Sequence, residues 1–155
     1  MAIIPVFIPH AGCPHQCVFC NQKTISGQQT ASSRDVEQQL ERYLQWIKPG
    51  PSNEAAFYGG SFTGLPADLQ TELFRPVDKL LAEGVIGSVR LSTRPDYIDA
   101  ARLELLQAHG VKTVELGVQS LDDNVMAAAE RGHQAADVYK AVSLLNSMAL
   151  RSVCS

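Results

Sequence analysis

No apolar run in this 155-residue chain approaches the ~20 residues that a membrane-spanning helix needs, so no membrane partner is expected. The opening stretch, Met1 to Pro9, has no basic n-region and is interrupted by Pro5 and Pro9. It reads as a strand and not as a signal peptide. A basic excess is also lacking. Thirteen Lys and Arg stand against sixteen Asp and Glu, for a formal net charge of -3. That balance argues against DNA as a partner and gives no support of its own to RNA. There is no internal repeat and no low-complexity linker. With 45% apolar and 19% charged residues, the composition is that of one ordinary soluble globular domain spanning 1-155.

Cysteine is scarce too, but its placement is uneven. Of four cysteines, Cys13, Cys17 and Cys20 fall within Gly12-Cys13-Pro14-His15-Gln16-Cys17-Val18-Phe19-Cys20-Asn21. Without a secretory leader, a reducing cytoplasmic location is expected, where clustered thiols bind metal rather than pair as disulfides. Three soft thiolates from one loop can hold a metal or cluster with one coordination position left open. Spacing alone leaves two readings: a 4Fe-4S cluster, or a zinc site with His15 or His10 as fourth ligand. Phe19 either packs over a planar ligand or is a core aromatic. Cys154 has no companion and no assigned role.

The rest of the chain alternates. Ile3 to Ile8 reads as a buried strand. Ser32 caps a helix, with Asp35 three residues on, and Val36, Leu40, Tyr43, Leu44 and Ile47 form its apolar face. Ala55 to Tyr58 is a second strand, followed by a helix from near Pro66 with Leu69, Leu73, Leu80 and Leu81 inward and a kink or split at Pro76. Ser88 to Ser92 is a third strand and Asp99 to Ala108 its helix, stopped by Gly110. Val111 to Val118 is a fourth. Asp122 caps a helix to about Glu130, and a longer helix runs from Ala135 to Ser147. Met148 to Val153 opens a fifth strand. Strand, loop and helix repeat four times, the signature of an α/β fold with parallel strands.

Ligands of such folds bind at the C-terminal ends of the strands. The glycine-rich and polar stretches fall there. Gly59, Gly60 and Ser61 let the backbone approach a ligand closely, or simply form a tight βα turn. Arg94, at the end of a buried strand, needs a carboxylate partner: Asp96, Glu115, or a ligand. Glu115 faces the interior or pairs with a basic neighbour. Gln119 can donate and accept. Arg131 and His133 flank Gly132 and read, on their own, as surface cap residues.

Taken together, C-x₃-C-x₂-C with an aromatic before the last cysteine resembles the radical S-adenosylmethionine (radical SAM) superfamily. Tyr58-Gly59-Gly60-Ser61-Phe62-Thr63-Gly64-Leu65-Pro66, Ser92-Thr93-Arg94-Pro95-Asp96, Glu115-Leu116-Gly117-Val118-Gln119-Ser120-Leu121 and Arg131-Gly132-His133 are similar to the subgroup containing the Elongator catalytic subunit. Oxygen-independent coproporphyrinogen dehydrogenases are more distant relatives. The resemblance implies a TIM-like (βα) barrel, here a partial one of about four βα units plus the start of a fifth. It implies that Cys13, Cys17 and Cys20 ligate a 4Fe-4S cluster whose fourth iron takes S-adenosyl-L-methionine. The activity implied is reductive cleavage of that molecule to a 5′-deoxyadenosyl radical that abstracts hydrogen from a substrate, RNA or a small metabolite. An electron donor such as flavodoxin or ferredoxin follows from it. Phe19, Gly59, Gly60, Ser61, Arg94, Gln119 and Arg131 would bind the cofactor; no catalytic residue is assigned. Family members close the barrel with further βα units and often add a domain, and no acetyltransferase domain is present. The chain is therefore expected to be the N-terminal portion of a radical SAM core, cut in mid-unit, with a catalytically incompetent cluster-binding fragment as the alternative and a zinc-binding module behind it.

Overall fold

The computed structural model describes residues 1–9, 17, 18, 20 and 31–155. Cys13 and Phe19 lie outside the described residues. Five strands, β1 (Ile3–Phe7), β2 (Glu54–Tyr58), β3 (Ser88–Thr93), β4 (Val111–Leu116) and β5 (Arg151–Cys154), form one sheet in the order of the chain. Every neighbouring pair is parallel. Parallel neighbours require crossovers, and the helices supply them: α1 (Ser33–Leu44), α2 (Ala67–Ala82), α3 (Ala100–Ala108), then α4 (Asp123–Ala128) and α5 (Ala135–Ser147) between β4 and β5. The four βα units and fifth strand read from the sequence are present.

Local chemistry explains the boundaries. Ser32 and Asp35 form a reciprocal capping box at the start of α1, which satisfies backbone donors that a helix start leaves orphaned. Asp99 and Asp122 cap α3 and α4 through their side chains. β4 stops at Leu116, two residues short of the expected Val118. Gly117 still donates to the Thr93 carbonyl, but Val118 and Gln119 both turn to the Ser155 carbonyl, and Gln119 has a φ of 69°, outside the extended region.

Two sequence expectations are corrected. α2 runs as one helix through Pro76, without the split that was one of the two expectations there. Leu73 and Phe74 before the proline and Val77 and Leu80 after it are all buried, so both halves are pinned to the same core and the lost hydrogen bond is tolerated. Tyr43 is 41% exposed and stands outside the core; Val36 and Leu40 are buried, with Leu44 and Ile47 packed at the margin.

The two faces of the sheet differ in kind. Side chains alternate along a strand, and the registered partners Ile4, Ala55, Val89 and then Val6, Phe57, Leu91, Val114 are buried against the helices. Phe57, Phe62 and Phe74 form the centre, with ring centroids 4.8–5.6 Å apart. The other face is largely polar on the central strands, with Glu54, Tyr58, Ser88, Arg90, Ser92, Thr113 and Glu115 around Ala56, where a closed barrel is usually filled with branched apolar residues; the outer strands add Ile3, Phe7 and Val153. At the free edge of β1, the Gln39 amide both accepts from the Phe7 N–H (2.8 Å) and donates to its carbonyl (2.9 Å), covering strand groups that would otherwise invite edge pairing.

Phe74 touches both other phenylalanines and stacks on His109 at 4.5 Å. Phe74→Ala is expected to destabilise the fold by about 3–5 kcal/mol. Urea unfolding followed by circular dichroism measures it.

Candidate functional site

Because all five strands run the same way, the loops after their C-terminal ends share one rim. The first two loops touch. Ile8 donates to the Tyr58 carbonyl at 2.9 Å, and Gly59 sits directly beneath Ile8 with a φ of +100°, where a Cβ would lie 2.5 Å from the Ile8 carbonyl oxygen. Only glycine fits this crossing. The Ser61 side chain is turned inward. Its hydroxyl is 2.9 Å from Thr93 Oγ1 and accepts the Arg94 N–H at 3.2 Å, while Thr63 Oγ1 lies 2.5 Å from the same threonine oxygen. Three buried hydroxyls thus rivet the glycine loop to the end of β3.

Arg94 is 3% exposed and holds both carboxylate oxygens of Asp96, Nε to Oδ1 at 2.9 Å and Nη2 to Oδ2 at 3.0 Å. The protein itself supplies a carboxylate to this buried cation, as one of the sequence readings had it. Glu115 faces the polar side of the sheet and pairs with a base, Arg90, at 3.0 Å; the same guanidinium binds Glu54 at 2.9 Å. Ser88 donates to Glu54, and Ser92 and the Tyr58 hydroxyl to Glu115. Burial and the neighbouring Glu115 carboxylate push the Tyr58 hydroxyl above its ordinary range, so it stays protonated as a donor. Glu115 was expected to pair with a base, but Arg90 and Glu54 were not singled out in the sequence. The strict alternation Ser88-Val89-Arg90-Leu91-Ser92 was the available signal, since it places a charge on the face opposite the core.

The cysteine turn meets the rim at the far side. Cys20 N–H donates to the Cys17 carbonyl at 2.9 Å, and Val18 N–H donates to Ala129 just after α4 at 3.2 Å. Cys17 is buried and Cys20 half-buried, and neither forms a disulfide. Arg131 reaches over them. Its Nη1 is 3.6 Å from Cys17 Sγ and its Nη2 donates to the Gly117 carbonyl at 2.6 Å. Arg131 is therefore no surface cap. Nor is His133, which is 3% exposed and lies 4.0 Å from Asp96 Oδ1, with both ring nitrogens unpartnered. The turn at Pro95–Tyr97 and the start of α5 enclose it, a tertiary contact invisible in Arg131-Gly132-His133 as text. Gln119 is exposed on the rim in its left-handed conformation. Among the described residues no three His, Cys, Asp or Glu side chains converge as a metal site; Cys13, the third thiol, is not one of them.

The sequence profile of the Radical SAM superfamily matches residues 7–155. The chain belongs to that superfamily. The tRNA uridine(34) acetyltransferase of Methanocaldococcus infernus is 24% identical over 189 residues, covering 97% of this chain and 35% of the relative. The solved structure of the Methanocaldococcus infernus Elp3, with residues 1–46 deleted, superposes with a TM-score of 0.70 at 20% identity over 99% of this chain and 37% of that one. The radical S-adenosylmethionine methyltransferase TsrM of Kitasatospora setae, solved with cobalamin and a [4Fe-4S] cluster, gives 0.68 at 17% identity over 98% of this chain and 30% of that one. These likenesses establish the partial TIM-like barrel. The radical SAM chain spans 46% or less of the length of such curated relatives.

His133 carries a pH dependence. Burial, then Arg131, then Arg94, hold its pKa below the ordinary 6.5, against weaker pulls from Asp96 and Asp137. The unfolded chain therefore binds this proton more readily than the folded one. Stability is full above about pH 6.5 and falls as pH drops from there through the lowered folded value. His133→Phe is expected to flatten this acid slope while staying within about 1.5 kcal/mol of the parent at pH 8. Paired urea titrations at pH 8 and pH 5 measure it, and equal acid losses in both proteins would contradict the assignment.

Proposed function

We propose that residues 1–155 are the N-terminal portion of a radical SAM core that holds a 4Fe-4S cluster on Cys13, Cys17 and Cys20 and S-adenosylmethionine beside it. The observation that carries the reading is the cysteine turn itself. Cys17 and Cys20, neither in a disulfide, lie in one hydrogen-bonded turn on the ligand-binding rim, with a guanidinium 3.6 Å from the Cys17 sulfur. A cation against a buried sulfur suits a thiolate and an anionic cluster. The soft donors suit iron–sulfur. When bound, the cluster supplies one electron for reductive cleavage of S-adenosylmethionine.

The chain's own residues prepare the place. Gly59 brings the backbone of two loops to van der Waals distance, and the Ser61–Thr93–Thr63 hydroxyls hold that backbone still, so that Gly59, Gly60 and Ser61 line the place of the methionine amino group. Arg94 and Asp96 stiffen the loop after β3. Gln119 presents an amide to the nucleoside, and Phe19 is the aromatic neighbour of the third cysteine. Beneath them, the Glu54–Arg90–Glu115 network with Tyr58 and Ser92 gives the barrel interior a hydrogen-bonding lining suited to a polar substrate. RNA or a small polar metabolite both match that lining; the name of the tRNA-modifying relative supports the former. A low-potential carrier such as flavodoxin or ferredoxin delivers the electron. A second reading is cluster binding without turnover.

Anaerobic reconstitution with iron and sulfide separates these. The parent is expected to gain a broad visible absorbance that Cys17→Ala loses, and to release 5′-deoxyadenosine when S-adenosylmethionine and a reductant are added. Cluster uptake with no 5′-deoxyadenosine selects the second reading. Stoichiometric zinc with no iron uptake sinks both.

A further inference from the structure

Arg131 meets the cysteine turn in a way that ligand binding does not require. Both of its terminal nitrogens are already committed within the protein, Nη1 toward Cys17 Sγ at 3.6 Å and Nη2 to the Gly117 carbonyl at 2.6 Å. Its Nε is buried without a partner. The Gly117 contact is close: a Cβ on residue 117 would stand 2.8 Å from Nη2, so the guanidinium would have to move aside. The backbone fixes the same geometry from two more directions. Arg131 N–H donates to the Met126 carbonyl at 3.1 Å, and Val18 N–H to Ala129 at 3.2 Å, so the turn carrying Cys17 and the loop carrying Arg131 are joined main chain to main chain. Cys17 is 5% exposed, which leaves little water to compete for its sulfur or screen the charge.

An N–H donated to a ligand sulfur withdraws electron density from it, and a guanidinium is permanently charged. Both effects favour the state of a cluster that carries one more electron, and hydrogen bonds to the sulfurs are among the levers that set cluster potentials. We propose that Arg131 raises the reduction potential of the cluster by donating to the Cys17 sulfur, with the Gly117 carbonyl as the anchor that keeps the guanidinium aimed. This rests on the cluster reading given above. One electron, delivered by an external low-potential one-electron carrier, adds one negative charge to the cluster; the fixed cation beside Cys17 offsets part of that charge. Arg131 thus serves electron entry, upstream of any contact with S-adenosylmethionine.

The experiment is a redox titration of the reconstituted chain without S-adenosylmethionine, followed by electron paramagnetic resonance of the reduced cluster. Arg131→Met, which keeps side-chain bulk and removes the cation, is expected to move the midpoint to more negative potential at unchanged iron and sulfide content. Arg131→Lys restores part of the shift. Gly117→Ala keeps the charge but displaces the guanidinium, and is expected to shift the midpoint the same way by less. A midpoint unchanged in Arg131→Met, with a full cluster, overturns the inference. Should that variant fail to retain the cluster, Gly117→Ala decides, and an unchanged midpoint there overturns it as well. Failure of the parent chain to take up iron brings down the cluster reading first and this inference with it, an outcome visible before any variant is made.

Discussion

A parallel sheet ends all its strands at one edge, and that constraint organises this molecule. Each crossover helix returns the chain to the opposite edge, so every loop that leaves a strand leaves it at the same rim. Segments as distant in sequence as Cys17, Gly59, Arg94 and Arg131 become neighbours for that reason alone. The rim needs a firm base to keep them in place. The phenylalanine cluster beneath β2 and α2 supplies it on one face, and the charged network across β2, β3 and β4 on the other. Arg90 between two carboxylates is only about one-fifth exposed, and removing one partner would leave half-buried charge unpaired. The network therefore specifies one register of three strands while keeping the barrel interior polar.

Three positively charged or chargeable groups, Arg94, Arg131 and His133, crowd one end of the site, and the structure handles each differently. Arg94 is neutralised by a bidentate carboxylate. Arg131 is directed at a sulfur and a carbonyl. His133 is kept uncharged by burial and by the other two. Of the three, Arg131 is the one turned toward a cysteine sulfur. These contacts explain why the loop Arg131-Gly132-His133 has two side chains turned inward although it merely joins α4 to α5.

Much of this was legible in the chain. The alternation of short apolar runs with 3.6-period segments gave the five strands and the crossover helices nearly to the residue, because capping residues such as Ser32, Asp99 and Asp122 are local signals with local effects. The cysteine spacing, the glycine pair and the polar ends of the third and fourth strands gave the rim. Pro76 misled because a proline's local cost can be outweighed by burial on both sides of it. Tyr43 misled because helical period identifies a face but not how far the neighbouring sheet extends beneath it.

What the sequence determined by itself was the set of elements, their order, and the residue types able to bind soft metal, since these depend on interactions only a few positions apart. What the tertiary structure alone decided was which charges meet: Arg90 with Glu54 and Glu115, Arg94 with Asp96 rather than Glu115, Arg131 with Cys17, and His133 shut away from water. Those pairings span up to 114 positions along the chain. They are fixed by strand register and by the desolvation cost of leaving a charge unpartnered, and neither quantity is defined until the sheet has formed.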